Sequence, residues 1–250
     1  MRTLQRAGAG LFALTLIAGT AACGDDDDKD AAGEENAAFC EAVVDFNTAA
    51  FQSDISDDST KDEIIEEGTA LAEHSQVIVD EAPEELKASA EEVHGFVTPM
   101  LEGDAEPFNE DASFETYSAF LGEATSACAF PEVEVEAADY SFDAPDEIES
   151  GSVSFAFTNT SQGEEHEMIV LAKADGVDLS WEELLDLPEE EAMSKTRFVT
   201  AAFAPPGESG STLATLEAGT YAMVCFVPVG GEEDGPPHFT QGMIHEFTVQ

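Results

Sequence analysis

The sequence predicts a two-domain protein of the α+β class, with a small helical bundle over residues 36–130 and a β-sandwich over residues 131–250. In the first half, apolar residues recur every three or four positions, the period of a helix with one buried face. In the second half they alternate with polar residues, the period of a half-buried strand, and Gly or Pro separates the runs. Hydrophobic residues make up 43% of the 250 positions, enough for a core in each domain.

The chain is strongly acidic, with 55 Asp and Glu against 8 Lys and Arg. The excess is spread evenly, giving a net charge of −21 for residues 36–130 and −22 for residues 131–250. Nucleic acid and anionic membrane surfaces are poor partners for such a chain, because both bind clusters of Lys and Arg. A solvated acidic surface is typical of an exported protein, and a saline habitat would screen its self-repulsion.

The N-terminal residues resemble a bacterial lipoprotein signal. Arg2 and Arg6 precede the apolar run Leu11–Ala18, and small residues then lead to Cys23, although Thr20 stands where Leu is usual. The apolar run is too short to span a bilayer. The resemblance implies that residues 1–22 are removed and that Cys23 becomes a lipid anchor. The alternative is an ordinary secretory signal, and both place the mature protein outside the cytoplasm.

Residues 23–35 are expected to form an acidic linker behind the anchor. They include the run Asp25–Asp28, whose like charges repel one another. An extended, solvated spacer would hold the folded part away from the membrane. The protein is therefore expected at the outer side of the cell membrane, on a bacterial cell surface or in a periplasm.

The helical domain is expected to contain three or four antiparallel helices with short connections. Apolar periodicity places them at about residues 39–51, 59–79, 83–101 and 113–128, with Ser59 or Thr60, Pro83 and Ser113 near three of the starts. His74 and His94 are single histidines on separate helices, and Glu91 precedes His94 at a metal-motif spacing. In so acidic a chain a neighbouring Glu is expected by chance, so this domain is interpreted as a spacer, docking or partner-binding module.

Cysteine usage separates one thiol from the others. With Cys23 lipid-modified, pairing of Cys40 and Cys128 would tie the first helix of the bundle to its last. Cys225 then stays unpaired. A lone thiol in an oxidising compartment is a liability unless a metal ion holds it as thiolate.

The second domain is expected to hold seven or eight short strands, the pattern of a β-sandwich. The main runs are 133–142, 152–158, 166–172, 198–203, 211–216, 220–226 and 243–249. A helix inserted over Ser180–Met193 is predicted by the capping pattern of Ser180 and Glu183.

Four residues of this domain form a candidate metal site. Cys225 ends an alternating run, and His238 and Met243 lie five apart after a Gly/Pro-rich loop. A thiolate, an imidazole and a thioether suit copper, which changes between two oxidation states, and His166 is the best second imidazole. Each residue alone is compatible with an ordinary core or loop position. His245 is a reserve ligand or a surface residue, and Met168 is expected in the core.

Several motifs make the domain resemble the cupredoxins, the plastocyanin and azurin family of blue copper proteins. They are Tyr140–Phe142, the Gly151 turn before a Val/Phe strand, Asn159 ahead of His166, and Gly219–Cys225, in which Met223 replaces an aromatic residue. The resemblance implies an antiparallel Greek-key sandwich that binds one copper ion through His166, Cys225, His238 and Met243. Twelve residues separate Cys225 from His238, where plastocyanin-like proteins have only a few. The entropic cost of closing a loop grows slowly with its length, so a loop of twelve residues can still bring His238 back to Cys225.

The function expected from this resemblance is that of a membrane-anchored carrier of single electrons between redox or copper-handling protein partners. Two alternatives use the same fold: a non-redox protein for copper storage or delivery, and a metal-free sandwich with a binding or structural role. An enzyme is not expected, because copper oxidases and nitrite reductases need further domains and more histidines than the five present.

Overall fold

The computed structural model describes residues 36–250 except 54, 57–58, 110 and 232–234. The predicted signal segment 1–22, the anchor Cys23 and the linker up to residue 35 lie outside the described residues. Within the described ranges, no helix is both long enough and apolar enough to cross a bilayer.

The N-terminal domain is a helical bundle. Its helices are α1 (Ala37–Gln52), α2 (Lys61–Glu81), α3 (Lys87–Val97), the short α4 (Glu106–Asn109) and α5 (Asp111–Cys128). A capping box formed by Thr60 and Glu63 begins α2. The helix expected at Pro83 begins four residues later, because the backbone first forms a turn from Pro83 to Leu86. A 3-10 turn, Thr98–Glu102, continues α3.

A disulfide joins Cys40 on α1 to Cys128 at the end of α5, with a Cα separation of 5.6 Å. It ties the first helix of the bundle to the last. The histidines of this domain make no metal group: among the described residues, the one cluster of His, Cys, Asp or Glu with metal-binding spacing lies in the other domain. His94 instead forms a 2.8 Å hydrogen bond through Nδ1 with the Ser75 hydroxyl.

The second domain is a β-sandwich, as predicted. Its strands are β1 (Glu132–Ala138), β2 (Ser141–Asp143), β3 (Glu147–Ile148), β4 (Gly151–Asn159), β5 (His166–Lys173), β6 (Thr196–Ala204), β7 (Ser209–Leu216), β8 (Gly219–Val224) and β9 (Ile244–Val249). One sheet has the order β2-β1-β4-β7 and the other β3-β9-β8-β5-β6. The sheets are mixed rather than purely antiparallel, since β1 pairs with β4 and β3 with β9 in parallel. The β1–β4 pair is parallel because β3 carries the chain to the opposite sheet before β4 returns beside β1.

The helix predicted over Ser180–Met193 is two short helices, α6 (Trp181–Leu185) and α7 (Glu189–Met193). Pro188 separates them, because proline has no N–H to continue the helical hydrogen bonds. Trp181 and Leu184 are fully buried and pack in one cluster with Ala222 and Val224 of β8. The insertion therefore covers part of the sheet that carries β5 and β8.

The two domains are joined by a buried polar network centred on Asn47 of α1. Its amide nitrogen donates to the Leu213 carbonyl at 2.8 Å and lies 3.4 Å from the Thr212 hydroxyl. Its amide oxygen accepts from the Tyr117 hydroxyl of α5 at 2.9 Å. Because Asn47 is fully buried, these bonds fix how the bundle sits on β7.

Asn47→Ala is expected to lower the free energy of unfolding by about 2–4 kcal/mol, because it leaves the Leu213 carbonyl and the Tyr117 hydroxyl buried and unpaired. Urea denaturation measures the loss. Thr48→Ala is the matched control, since within the described residues the Thr48 hydroxyl donates to the Val44 carbonyl of the same helix and makes no hydrogen bond with β7. Its effect is expected within about 0.5 kcal/mol. Equal stability of the two variants would contradict a role for Asn47 in joining the domains.

Candidate metal centre

His166 is held by the loop that leads into β5. The buried side chain of Asn159 donates to the carbonyls of Glu164 and Ala204, both at 2.9 Å, and accepts from the Ser161 N–H at 2.9 Å. These three bonds join the end of β4, the loop and β6. His166, the first residue of β5, is thereby fixed at the end of the sheet.

Cys225 follows directly after β8, which ends at Val224 rather than at Phe226 as the alternation predicted. Its N–H donates to the Met243 carbonyl at 3.3 Å, and its carbonyl accepts from the Phe239 N–H at 2.9 Å. The backbone of Cys225 is thus bonded on both sides to the segment that contains His238 and Met243.

The described residues between Cys225 and His238, 226–231 and 235–237, form two short arms that pair with each other next to the sheet. The His238 N–H donates to the Val227 carbonyl at 2.9 Å, and the Val229 N–H donates to the Pro236 carbonyl at 3.0 Å. Pro228 and Pro237 form a β-bridge between these two bonds. The length of the loop therefore does not separate the two predicted ligands.

His166, Cys225 and His238 form one buried group whose ligand atoms all lie within 4.8 Å of one another. The two Nδ1 atoms are 3.2 Å apart, and Cys225 Sγ is 3.4 Å from His238 Nδ1 and 4.0 Å from His166 Nδ1. Bond lengths of about 2.0 Å to nitrogen and about 2.3 Å to sulfur, as zinc makes with these donors, place trigonal donors about 3.5–3.7 Å apart. The observed separations bracket these values, so the group fits a single metal ion.

Met243 is fully buried, immediately before β9, and belongs to the same apolar cluster as Cys225. Its N–H donates to the His238 carbonyl at 3.2 Å. Met168 belongs to the same core cluster, as expected. His245 is directed elsewhere: its Nε2 lies 3.2 Å from the Pro145 carbonyl and 3.7 Å from Asp146, so it does not join the donor group.

Burial keeps the donor group uncharged without a metal. It lowers the pKa of His166, with a further contribution from His238, and it lowers the pKa of His238. It also raises the pKa of the Cys225 thiol to about 11, against backbone hydrogen bonds that favour the thiolate. Neutral imidazoles are the form that binds metals, and a coordinated thiol loses its proton outright. The donor set is one that copper favours in both of its oxidation states.

Three side chains around the group were not predicted as part of the site. The Tyr140 ring meets the His238 ring edge-on with centroids 5.0 Å apart. Glu164 Oε2 lies 3.6 Å from His238 Nε2. Glu167 accepts the Phe226 N–H at 2.9 Å and so anchors the residue after Cys225. In a chain with 55 acidic residues, a Glu beside His166 gave no distinguishing signal.

No protein-family model matches the chain, and no curated protein is detectably similar to it. Solved structures that align with it include dithionite-reduced auracyanin from the photosynthetic bacterium Roseiflexus castenholzii, at 21% identity over 48% of this chain and 96% of that one, with a TM-score of 0.32. Auracyanin B aligns at 23% identity over 48% and 88%, with a TM-score of 0.32. Auracyanin A, a blue copper protein from Chloroflexus aurantiacus, aligns at 21% identity over 48% and 99%, with a TM-score of 0.31.

These TM-scores are low, and the fold is recognised from its own strand order. Two packed sheets in the orders β2-β1-β4-β7 and β3-β9-β8-β5-β6 enclose one apolar core. His166 at the start of β5, with Cys225 and His238 on the β8–β9 connection, completes a buried His–Cys–His group. By this topology and donor set, the C-terminal domain has a cupredoxin-like fold.

Proposed function

We propose that the protein binds one copper ion through His166, Cys225, His238 and Met243 and carries single electrons between protein partners outside the cytoplasm. The observation that carries the proposal is the buried His–Cys–His group, with donor atoms 3.2–4.0 Å apart. Bound copper supplies the one-electron chemistry by changing between Cu(II) and Cu(I).

The chain fixes the positions of the donor atoms and excludes water from them. Backbone hydrogen bonds tie Cys225 to Met243 and Phe239, and Asn159 fixes the loop before His166. All three donor side chains are fully buried. Donors that stay in place in both oxidation states favour fast electron exchange, because little has to move when the charge changes.

The location and partners in this proposal derive from sequence alone. The basic residues Arg2 and Arg6, the apolar run and Cys23 support a lipid anchor on the outer side of the membrane. The acidic surface favours protein partners with basic docking faces and disfavours nucleic acid. We propose no enzymatic activity.

Copper titration of the purified full-length chain in detergent tests the proposal. One equivalent of Cu(II) is expected to give an intense thiolate-to-copper absorption band that disappears on reduction and returns on reoxidation. Tight Cu(I) binding without such a band would favour storage or delivery instead. Failure to bind copper in either state would contradict both functions.

A further inference from the structure

Glu164 is the one described acidic residue that the structure places against a predicted ligand ring. Its carbonyl accepts from the Asn159 amide at 2.9 Å and the Ser161 hydroxyl at 2.6 Å, so its backbone is fixed. Its side chain is only 23% exposed. The carboxylate is therefore held near His238 by the same hydrogen bonds that position His166.

Two further contacts hold the carboxylate from other segments. Glu164 Oε2 accepts the Gly230 N–H at 3.2 Å, and Oε1 accepts the Tyr140 hydroxyl at 3.4 Å. Tyr140, at the β1–β2 turn, has a φ of +62°, a conformation uncommon for a residue with a side chain. That backbone brings its ring edge-on to His238 and its hydroxyl to Glu164. The carboxylate therefore links the β1–β2 turn, the loop before β5 and the Cys225–His238 loop.

The two histidines differ in what faces their outer nitrogens. Both Nε2 atoms are buried and have no hydrogen bond with the described residues. His238 Nε2 nevertheless has Glu164 Oε2 at 3.6 Å, only slightly beyond hydrogen-bond distance. A neutral imidazole that binds a metal through Nδ1 carries its proton on Nε2. The nearest described carboxylate able to accept that proton in a hydrogen bond belongs to Glu164.

We propose that Glu164 is the positioning residue of His238, accepting the Nε2–H of the copper-bound imidazole and so stabilising Cu(II) relative to Cu(I). The inference deepens the copper-binding function proposed above and rests on it. A carboxylate that accepts the second N–H of a ligand histidine fixes its ring and raises its basicity. The more basic ligand and the added negative charge both favour the more highly charged ion. Tyr140 and Gly230 keep the carboxylate in place.

The test compares midpoint potentials of the copper-loaded wild-type chain, Glu164→Gln, Tyr140→Phe and Glu165→Gln. Glutamine keeps the shape of residue 164 and can still accept a hydrogen bond, so Glu164→Gln isolates the charge. Glu165 is the adjacent, exposed residue, so Glu165→Gln removes the same charge without the contact. Measurement in 1 M salt, where the Debye length is about 3 Å, suppresses the effect of exposed charges.

Glu164→Gln is expected to weaken the binding of Cu(II) about tenfold more than the binding of Cu(I). This difference raises the midpoint potential by about 60 mV for one electron. Tyr140→Phe should raise it by less, and Glu165→Gln should leave it close to wild type. Faster transfer of Cu(II) to a chelator in Glu164→Gln, with the release of Cu(I) unchanged, is the second expected readout. Far-UV circular dichroism checks that each variant is folded.

Equal potentials for Glu164→Gln and wild type, or equal shifts for Glu164→Gln and Glu165→Gln, would overturn the role of Glu164 while leaving copper binding intact. A wild-type chain that binds no copper would overturn both proposals. Loss of Cu(II) binding with retained Cu(I) binding in Glu164→Gln would support the role assigned here.

Discussion

Replacing Cys225 with serine is expected to abolish the intense visible absorption of the copper-loaded protein and to weaken Cu(I) binding by more than tenfold. The band requires a thiolate bound to Cu(II), and a serine hydroxyl stays protonated and is a poor ligand for soft Cu(I). Cys225 is fully buried and is the cysteine outside a disulfide in the described part of the chain. Absorption spectra recorded during copper titration measure the effect.

Two methionine variants complement Cys225→Ser, one at a predicted ligand and one at a core residue that serves as the control. Met168 and Met243 are both fully buried in the same core cluster, but only Met243 is a predicted ligand. Met168→Leu should leave the band and the midpoint potential unchanged. Met243→Leu should keep the band and raise the potential, because losing the thioether donor would disfavour Cu(II) more than Cu(I). A full-strength band in folded Cys225→Ser would show that another residue supplies the sulfur or that the band is not a thiolate band.

Removing the disulfide is expected to cause the largest loss of stability. The double variant Cys40→Ala, Cys128→Ala frees a chain segment with a sequence separation of 88 residues. In the chain-entropy description, closing a loop of this size stabilises the folded state by about 4–5 kcal/mol. Total stabilities are only about 5–15 kcal/mol, so the variant should lose between about a quarter and nearly all of its stability. Urea denaturation of the metal-free proteins measures the difference.

The copper spectrum of the same double variant provides an internal control. The disulfide lies in the helical domain, whereas the donor group lies in the sandwich. At low temperature without urea, the variant should therefore load copper with an unchanged band. A loss below about 1 kcal/mol would show that the unfolded state is already compact or that the bond is strained in the folded protein.

The helical N-terminal part, the C-terminal β-sandwich and most of their elements were predictable, because apolar periodicity depends on which face of each element is buried. The relative direction of neighbouring strands was not predictable, since apolar and polar residues alternate in the same way in parallel and antiparallel pairs. The parallel β1–β4 and β3–β9 pairs follow from how the chain crosses between sheets, which involves the two-residue strand β3. Pro188 is a helix-breaking residue that the sequence shows. The capping pattern at Ser180 nevertheless led to the prediction of one long helix, so the break between the two short helices was not predicted.

At the site, residue type and order predicted the three donors that the structure brings together: His166, Cys225 and His238. The distances between their donor atoms depend on backbone hydrogen bonds, such as the one from the Cys225 N–H to the Met243 carbonyl. Composition and periodicity do not predict such bonds. Glu164 was not predicted because its role depends on three-dimensional proximity to His238 and Tyr140.

The paired loop between Cys225 and His238 has a consequence for recognising such sites in other chains. Its arms are joined at Val227–His238 and Val229–Pro236, so these hydrogen bonds, and not the number of residues beyond them, bring His238 back to Cys225. Searches that require a fixed number of residues between cysteine and histidine would miss sites of this kind. A search pattern that allows an insertion of any length between two matched arms would retain them.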